Sequence, residues 1–93
     1  MNSLLKDTEI QARASQLSGW TVEGDKLRCT RKFQDFIAAI DFVNKLVAPS
    51  EAAAHHPDLE ISYNKVTVNL TTHDAGGLTE KDFALAQEIS QIN

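Results

Sequence analysis

Apolar residues in the first part of the chain recur with helical spacing. Ile10, Ala14 and Leu17 are separated by four and three residues, which places them on one face of a helix. Asp7 is suited to cap the first turn of this helix, and Gly19 is suited to end it. We therefore predict a first helix that begins near Asp7 and ends before Gly19.

The following residues show the two-residue alternation of strands. Trp20 and Val22 form a short strand, and Gly24-Asp25 is a dipeptide that favours a tight hairpin turn. Residues 26–33 then alternate between an apolar and a polar face, which Arg31 interrupts once. The apolar face carries Leu27, Cys29 and Phe33, and the polar face carries Lys26, Arg28, Thr30 and Lys32.

A longer helix is predicted from Asp35 onward. Its apolar stripe covers more than half of its girth, so we expect it to be covered on two sides. The stripe consists of Phe36, Ile37, Ile40, Phe42, Val43, Leu46 and Val47. Pro49 is expected to end or kink this helix, after which residues 50–55 resume helical winding.

A second hairpin is predicted from strands at residues 59–63 and 66–72, both of which alternate apolar and polar side chains. Asn64-Lys65 is a plausible two-residue turn, since asparagine tolerates the left-handed conformation. With Tyr63 paired to Val66, Leu59 faces Leu70. The same register places His56 opposite His73.

The last helix has clear start signals. Thr79 is its predicted cap, and Asp82 three residues later completes a capping box. Leu78 can pack on Phe83 as a hydrophobic staple. Its core stripe is expected to be Leu85, Ile89 and Ile92.

The predicted order of elements is therefore α-β-β-α-β-β-α. Four antiparallel strands with one apolar face need helices on that face only. We predict an α+β fold, with a four-stranded antiparallel sheet and three helices on one face. The 93 residues suffice for one domain, spanning residues 1–93.

The bulk properties exclude several classes of protein. The net charge is −4, which argues against a nucleic-acid surface. Cys29 is the single cysteine, so no disulfide can form within the chain and no multi-cysteine zinc site is possible. Residues 1–6 do not resemble a secretory signal, and no apolar run is long enough to span a membrane. We expect a cytoplasmic protein without nucleic-acid or membrane partners.

The candidate chemistry is concentrated in residues 51–74. The predicted hairpin brings His55, His56 and His73 to one end of the sheet, beside Asp74. Glu51 precedes His55 by four residues, which is same-face spacing on a helix. An imidazole supported by a carboxylate is suited to give and take protons near neutral pH. This pattern indicates general acid–base catalysis.

Three other interpretations of these residues remain open. The histidines could form a purely structural cluster. They could hold a metal, although adjacent His55 and His56 cannot both aim at one ion from a regular helix or strand. Cys29 could be a nucleophile, but its place on the apolar face of a strand favours core packing.

The same residues carry a resemblance to a known family. The run from Glu51 to Pro57 reads E-x3-H-H-P, and His73 follows His56 by 17 residues. With Gly19-Trp20, the turn at residues 63–66 and the segment at 78–82, this pattern resembles the pterin-4a-carbinolamine dehydratase family. The resemblance runs from about Gly19 to the end of the chain, and the α-β-β-α-β-β-α order is also that family's order.

The resemblance implies an activity and a set of site residues. Family enzymes remove water from 4a-hydroxytetrahydrobiopterin to give the quinonoid dihydropterin, which recycles the cofactor of aromatic amino acid hydroxylases. No metal and no organic cofactor is implied. The implied catalytic residues are Glu51, His55, His56 and His73. The implied substrate-binding residues are Trp20, Ala54, His55, His56, Thr71, Thr72, His73 and Asp74.

The resemblance also implies partners. Vertebrate relatives act as dimerisation cofactors of a homeodomain transcription factor, so a non-enzymatic binding or regulatory module is the alternative function. An aromatic amino acid hydroxylase is a possible partner in the same pathway. A homo-oligomer is expected from the residues, because a small core gains from further burial and because strand 66–72, which has no charge or proline, would be poorly protected at a sheet edge. The resemblance implies that this oligomer is a homodimer or a dimer-based tetramer.

Overall fold

The computed structural model describes residues 3–93, so the first two residues of the predicted domain lie outside the described range. The predicted order of helices and strands is confirmed, with the long second helix divided in two. The helices are α1 (Asp7–Ala14), α2 (Phe36–Lys45), α3 (Val47–Ala53) and α4 (Glu80–Ser90). The strands are β1 (Trp20–Glu23), β2 (Lys26–Lys32), β3 (Asp58–Ser62) and β4 (Lys65–Leu70). A single 3-10 turn covers His73–Ala75.

The four strands form one antiparallel sheet in the order β1-β2-β4-β3. One face of this sheet packs against the helices, as the alternating pattern predicts, and forms the core with them. Strand residues in the core include Leu27, Val66, Val68 and Leu70, each fully buried. Helix residues in the core include Ala39, Phe42, Phe83, Leu85 and Ile89.

The opposite face of the sheet is polar. Its side chains bond to one another across strands, with Thr30 Oγ1 2.9 Å from Thr67 Oγ1 and Asn69 donating to Glu60 over 3.2 Å. Arg31 lies on the core side, as its position in β2 predicts. Its guanidinium stacks 4.5 Å from the Phe42 ring centroid and donates to the carbonyl of Ile92 over 2.8 Å. These two contacts stabilise the positive charge of Arg31 at the rim of the core.

The predicted register of the second hairpin is wrong by two residues. Ser62 pairs with Lys65, so the turn is Tyr63-Asn64, and Leu59 faces Val68 instead of Leu70. The reason lies outside the hairpin, because Asn64 exchanges hydrogen bonds of 2.7 and 2.9 Å with the backbone of Phe33 and is thereby held in the turn. A shift of two residues leaves every side chain on its predicted face.

The break in the long helix falls before Pro49. Leu46 N bonds to Val43 O over 3.0 Å at this break. Pro49 lacks the N–H that would reach the carbonyl of Lys45, so the α-helical hydrogen bonds are also interrupted there. Pro49 itself lies in the first turn of α3, where no such bond is needed. The expectation that helical winding continues to residue 55 is wrong, because α3 ends at Ala53 and Ala54 adopts the left-handed conformation with φ 50°.

Smaller corrections concern the other helices and the sheet edge. The first helix begins at Asp7 with Lys6 in the cap position, and it ends at Ala14, so Leu17 lies beyond it. The capping box of Thr79 and Asp82 is confirmed, and α4 ends before Ile92. Strand β4 is internal, so the edges are β1 and β3 and the concern about an unprotected strand at residues 66–72 does not apply. No helix within residues 3–93 is long and apolar enough to cross a membrane.

Candidate active site

A cavity of about 250 Å³ opens where the ends of α3 and β4 meet the start of α4. All three histidines of the chain line this cavity, although they come from two separate segments. Its wall is formed by Ala54, His55, His56, Thr71, Thr72, His73, Asp74 and Lys81. The structure therefore brings together seven of the predicted site residues, and it adds Lys81.

The end of α3 determines where His55 lies. Ala54 turns the chain in the left-handed conformation, and the N–H of His55 bonds back to the carbonyl of Ser50 over 3.1 Å. This turn directs His55 inward, where only 9% of the residue is exposed. Its Nε2 lies 2.6 Å from Oδ1 of Asp82. A buried imidazole is thus paired with a buried carboxylate.

Asp82 belongs to the site, although the sequence analysis assigned it only to the cap of α4. It is fully buried, and its Oδ2 accepts hydrogen bonds from the Thr79 N–H at 3.0 Å and from the Thr72 hydroxyl at 2.8 Å. Its other oxygen faces His55. The signal was present in the sequence, since a capping-box carboxylate nine residues after His73 lies at the helix end nearest the cavity.

Glu51 supports a different histidine from the one predicted. Its Oε2 lies 2.5 Å from Nε2 of His56, in an exposed pair, and it does not contact His55. The prediction of a Glu51–His55 pair required helical winding through residue 55. Because α3 ends at Ala53, the turn at Ala54 brings the next histidine beside Glu51.

His73 reaches the cavity by a different route from the predicted one. The corrected register, extended two residues beyond Asp58–Asn69, places Thr71 and not His73 opposite His56. His73 instead begins the 3-10 turn after β4, with its side chain 77% exposed and Nε2 3.9 Å from Oδ2 of Asp58. Each of the three imidazoles therefore has its own carboxylate, namely Asp82, Glu51 and Asp58.

Two predicted contacts do not face the cavity as expected. Trp20 does not line it, because its indole is buried in the core and donates to Ser90 Oγ over 2.7 Å. Thr71 lines the cavity, but its hydroxyl donates to the carbonyl of Asp25 over 2.7 Å. Trp20 therefore packs in the core, outside the lining of this cavity, and the hydroxyl of Thr71 joins the site to the β1–β2 turn.

The geometry bears on the metal and the nucleophile interpretations separately. Within residues 3–93, no group of three or more His, Cys, Asp or Glu side chains is arranged to hold a metal ion. Cys29 is buried in the core, and this burial raises the pKa of its thiol, an effect that the nearby charge of Arg31 partly offsets. A raised pKa keeps the thiol protonated and unreactive.

Comparison with known proteins places this geometry in a family. The model of the family described as pterin 4 alpha carbinolamine dehydratase matches residues 3–92. A Nostoc sp. protein provisionally named a pterin-4-alpha-carbinolamine dehydratase is 72% identical over 100% of both chains. A protein of Cyanothece sp. with the same provisional name is 66% identical over 100% of this chain and 96% of its own.

Solved structures agree with this placement. A transcriptional coactivator/pterin dehydratase from Brucella melitensis superimposes with a TM-score of 0.86 at 33% identity, covering 91% of this chain and 93% of the other. A pterin dehydratase-like protein identified as a RuBisCO assembly factor superimposes with a TM-score of 0.61 at 21% identity, covering 76% and 82%, which shows a shared fold alone. The histidine-lined cavity and these matches lead to one conclusion, which is that the chain belongs to the pterin-4a-carbinolamine dehydratase family.

Proposed function

We propose that this protein dehydrates 4a-hydroxytetrahydropterins by histidine acid–base catalysis. The observation that carries the proposal is the convergence of three imidazoles on one cavity, each beside its own carboxylate. A neighbouring carboxylate can orient an imidazole by accepting a hydrogen bond from one ring nitrogen, which leaves the other nitrogen to exchange protons with a substrate. The family membership supplies the substrate class.

The reaction needs two proton transfers. The substrate carries a hydroxyl on C4a and a hydrogen on N5. One histidine donates a proton to the hydroxyl, the C4a–O bond breaks, and water leaves. A second histidine accepts the proton from N5 as the C4a–N5 double bond forms, which gives the quinonoid dihydropterin.

We assign these two transfers to His55 and His73, with His56 holding and polarising the substrate. His56 lines the cavity and its side chain is exposed, so its imidazole can contact a bound ring. Ala54, Thr71, Thr72 and Asp74 line the rest of the wall. Proton transfers of this kind require neither a metal nor an organic cofactor, because the imidazoles supply and accept both protons.

A stopped-flow assay of 4a-hydroxytetrahydropterin dehydration tests the proposal. We expect His55→Ala and His73→Ala each to lower the enzymatic rate by about 10²–10⁴-fold, the usual contribution of one acid–base group. Glu60→Gln, on the polar face of the sheet, is the control and should retain the wild-type rate. Unchanged rates in both histidine variants would refute the assignment.

A binding or regulatory role is the second candidate, and the Brucella relative described as a transcriptional coactivator/pterin dehydratase favours including it. The polar face of the sheet offers a surface for such a partner. A wild-type protein that lacks dehydratase activity but retains a stable protein partner would favour this role. A wild-type protein that turns over the pterin would place it in the recycling of a hydroxylase cofactor, with an aromatic amino acid hydroxylase as the source of its substrate.

A further inference from the structure

We propose that Thr72 and Thr79 are positioning residues that fix the tautomer of His55, so that Nδ1 is the nitrogen that exchanges protons with the substrate. The two hydroxyls would act through Asp82, which lies between them and the imidazole. The substrate in this statement rests on the proposed function, whereas the tautomer follows from the hydrogen-bond geometry alone.

The hydrogen bonds around Asp82 form a chain with one direction. The backbone N–H of Lys81 donates to Thr79 Oγ1 at 3.3 Å, which leaves the hydroxyl hydrogen of Thr79 free to donate. Thr79 Oγ1 lies 2.8 Å from Thr72 Oγ1, and Thr72 donates in turn to Asp82 Oδ2 at 2.8 Å. The chain therefore delivers a donor to the carboxylate.

The carboxylate must then accept from His55. A second donor, the N–H of Thr79, also reaches Asp82 Oδ2 at 3.0 Å, so this oxygen has two donors and no need of its own proton. The remaining oxygen, Oδ1, faces His55 Nε2 at 2.6 Å. An acceptor at that distance requires hydrogen on Nε2, and in the neutral ring Nδ1 is left as the acceptor.

Burial makes this chain of hydrogen bonds rigid. Thr72, Thr79 and Asp82 are 5%, 1% and 0% exposed, so water does not compete for their hydrogen bonds. His55 lines the cavity. Among residues 3–93, no protein atom forms a hydrogen bond with its Nδ1, and this nitrogen is not buried away from solvent. Nδ1 is therefore the nitrogen of His55 that a bound substrate can reach.

The other histidine pairs lack such a chain. Glu51 and His56 are both exposed, and Asp58 lies 3.9 Å from His73, too far for a direct hydrogen bond. Their tautomers can exchange with solvent assistance. Of the three histidines, His55 is thus the one whose carboxylate partner is buried and held by further hydrogen bonds.

Nitrogen-15 NMR of histidine-labelled wild-type protein tests the tautomer directly and needs no substrate. Long-range proton–nitrogen correlations distinguish a ring protonated on Nε2 from one protonated on Nδ1. We expect neutral His55 to show hydrogen on Nε2 in at least about nine-tenths of molecules, since the buried hydrogen bond to Asp82 is charge-assisted. A ring protonated mainly on Nδ1 would overturn the proposal.

Three variants test the two hydroxyls. Thr72→Val removes the donor to Asp82 but keeps the side-chain shape, and Thr79→Asn keeps a helix-capping side chain but removes the hydroxyl. We expect each to lower kcat about 10-fold with KM changed less than about 2-fold, and to raise the population of the Nδ1-protonated ring. Thr72→Ser restores the hydroxyl and should restore both readouts.

Thr30→Val is the matched control. It removes one hydroxyl of the Thr30–Thr67 pair, which has a similar distance of 2.9 Å but lies on the opposite face of the sheet. It should change neither the spectrum of His55 nor kcat. A Thr72→Val protein that folds and keeps both the wild-type tautomer and the wild-type kcat would overturn the role of the hydroxyls, and a rise in KM alone would assign Thr72 to substrate contact instead.

Failure of the proposed function has a different signature. If the wild type does not dehydrate the pterin, but His55 carries its hydrogen on Nε2 and Thr72→Val disturbs it, then the hydrogen-bond chain stands and the reaction is wrong. If the wild type is active and its His55 is protonated on Nδ1, then the reaction stands and the chain is wrong.

Discussion

Replacement of Asp82 by Asn separates the two roles of this residue. Asn has nearly the same size, and it is accepted at helix N-termini. It changes one oxygen of the buried carboxylate into an NH2 group that can only donate. The NH2 group must face either the Thr79 N–H or His55. The first choice opposes two donors, so we expect the NH2 group to face His55.

The same count of hydrogen-bond donors and acceptors determines the tautomer of His55. An NH2 group beside Nε2 needs an acceptor there, so the neutral ring must move its hydrogen to Nδ1, the nitrogen that faces the cavity. His55 can then no longer accept a proton from the substrate. Loss of the correct tautomer in an imidazole–carboxylate pair costs on the order of 10³–10⁴-fold in rate. We expect kcat to fall by about that factor.

The stability of the variant should fall only moderately. The amide oxygen still accepts from Thr72 and Thr79, so no buried donor loses its partner. What is lost is one negative charge at the N-terminus of α4 and the charge-assisted part of the bond to His55. Together these are worth about 1–2 kcal/mol. For a domain of this size the melting temperature should fall by roughly 5–15 °C.

Steady-state kinetics and thermal unfolding of the same preparation test this prediction. Glu80→Gln is the matched control, because it removes a charge from the same first turn of α4 but breaks only a surface ion pair with Arg13. The control should keep the wild-type kcat. A folded Asp82→Asn protein with kcat within about 3-fold of wild type would refute the role of Asp82 in catalysis, since the expected loss is far larger.

Further predictions concern metal, the cysteine and the assembly. Exhaustive chelation should leave the dehydration rate unchanged, and activity restored only by zinc would contradict this. Burial raises the pKa of Cys29 above 9.0, so alkylation of the native thiol in mildly alkaline buffer should be slow and should accelerate on unfolding. By linkage, the free energy of unfolding that the buried neutral thiol contributes is present below pH 9.0 and is lost as the pH rises through the raised pKa of the folded state. Unfolding curves at alkaline pH would reveal this loss. Light scattering should give a mass about two or four times 10.3 kDa, because Phe36, Ile37 and Val47 are at least half exposed and β3 is an open edge; a constant monomer mass would exclude an oligomer.

The order of the elements could be predicted because local signals agreed with the global fold. The alternating residues of β2 and β4 and the capping box of Thr79 and Asp82 each appear in the structure where the sequence indicated. The hairpin register could not be predicted, because the observed turn holds Tyr63 in the left-handed conformation with φ 50°, which a bulky side chain rarely adopts. The choice of turn depends on the hydrogen bonds between Asn64 and Phe33, which are 31 residues apart.

The sequence predicted which residues form the candidate site better than it predicted which carboxylate pairs with which histidine. The three histidines meet because the ends of two neighbouring segments meet, and that holds for either register. The partners of His55 and His56 depend on a single backbone feature, the left-handed Ala54, for which an alanine gives no signal. Glu51 was therefore assigned to the wrong histidine. Asp82 was overlooked because a capping box already explained its presence.

The double use of Asp82 explains how so small a domain can hold a buried carboxylate. A carboxylate removed from water normally needs compensating donors, and the start of any helix has N–H groups without partners. Here the cap of α4 provides one such donor to Asp82, and Thr72 provides another. The carboxylate that accepts these hydrogen bonds is also the one that orients His55. Catalytic geometry and helix stability therefore share the same hydrogen bonds, and substitutions in residues 72–82 that loosen the cap should reduce the rate before they unfold the protein.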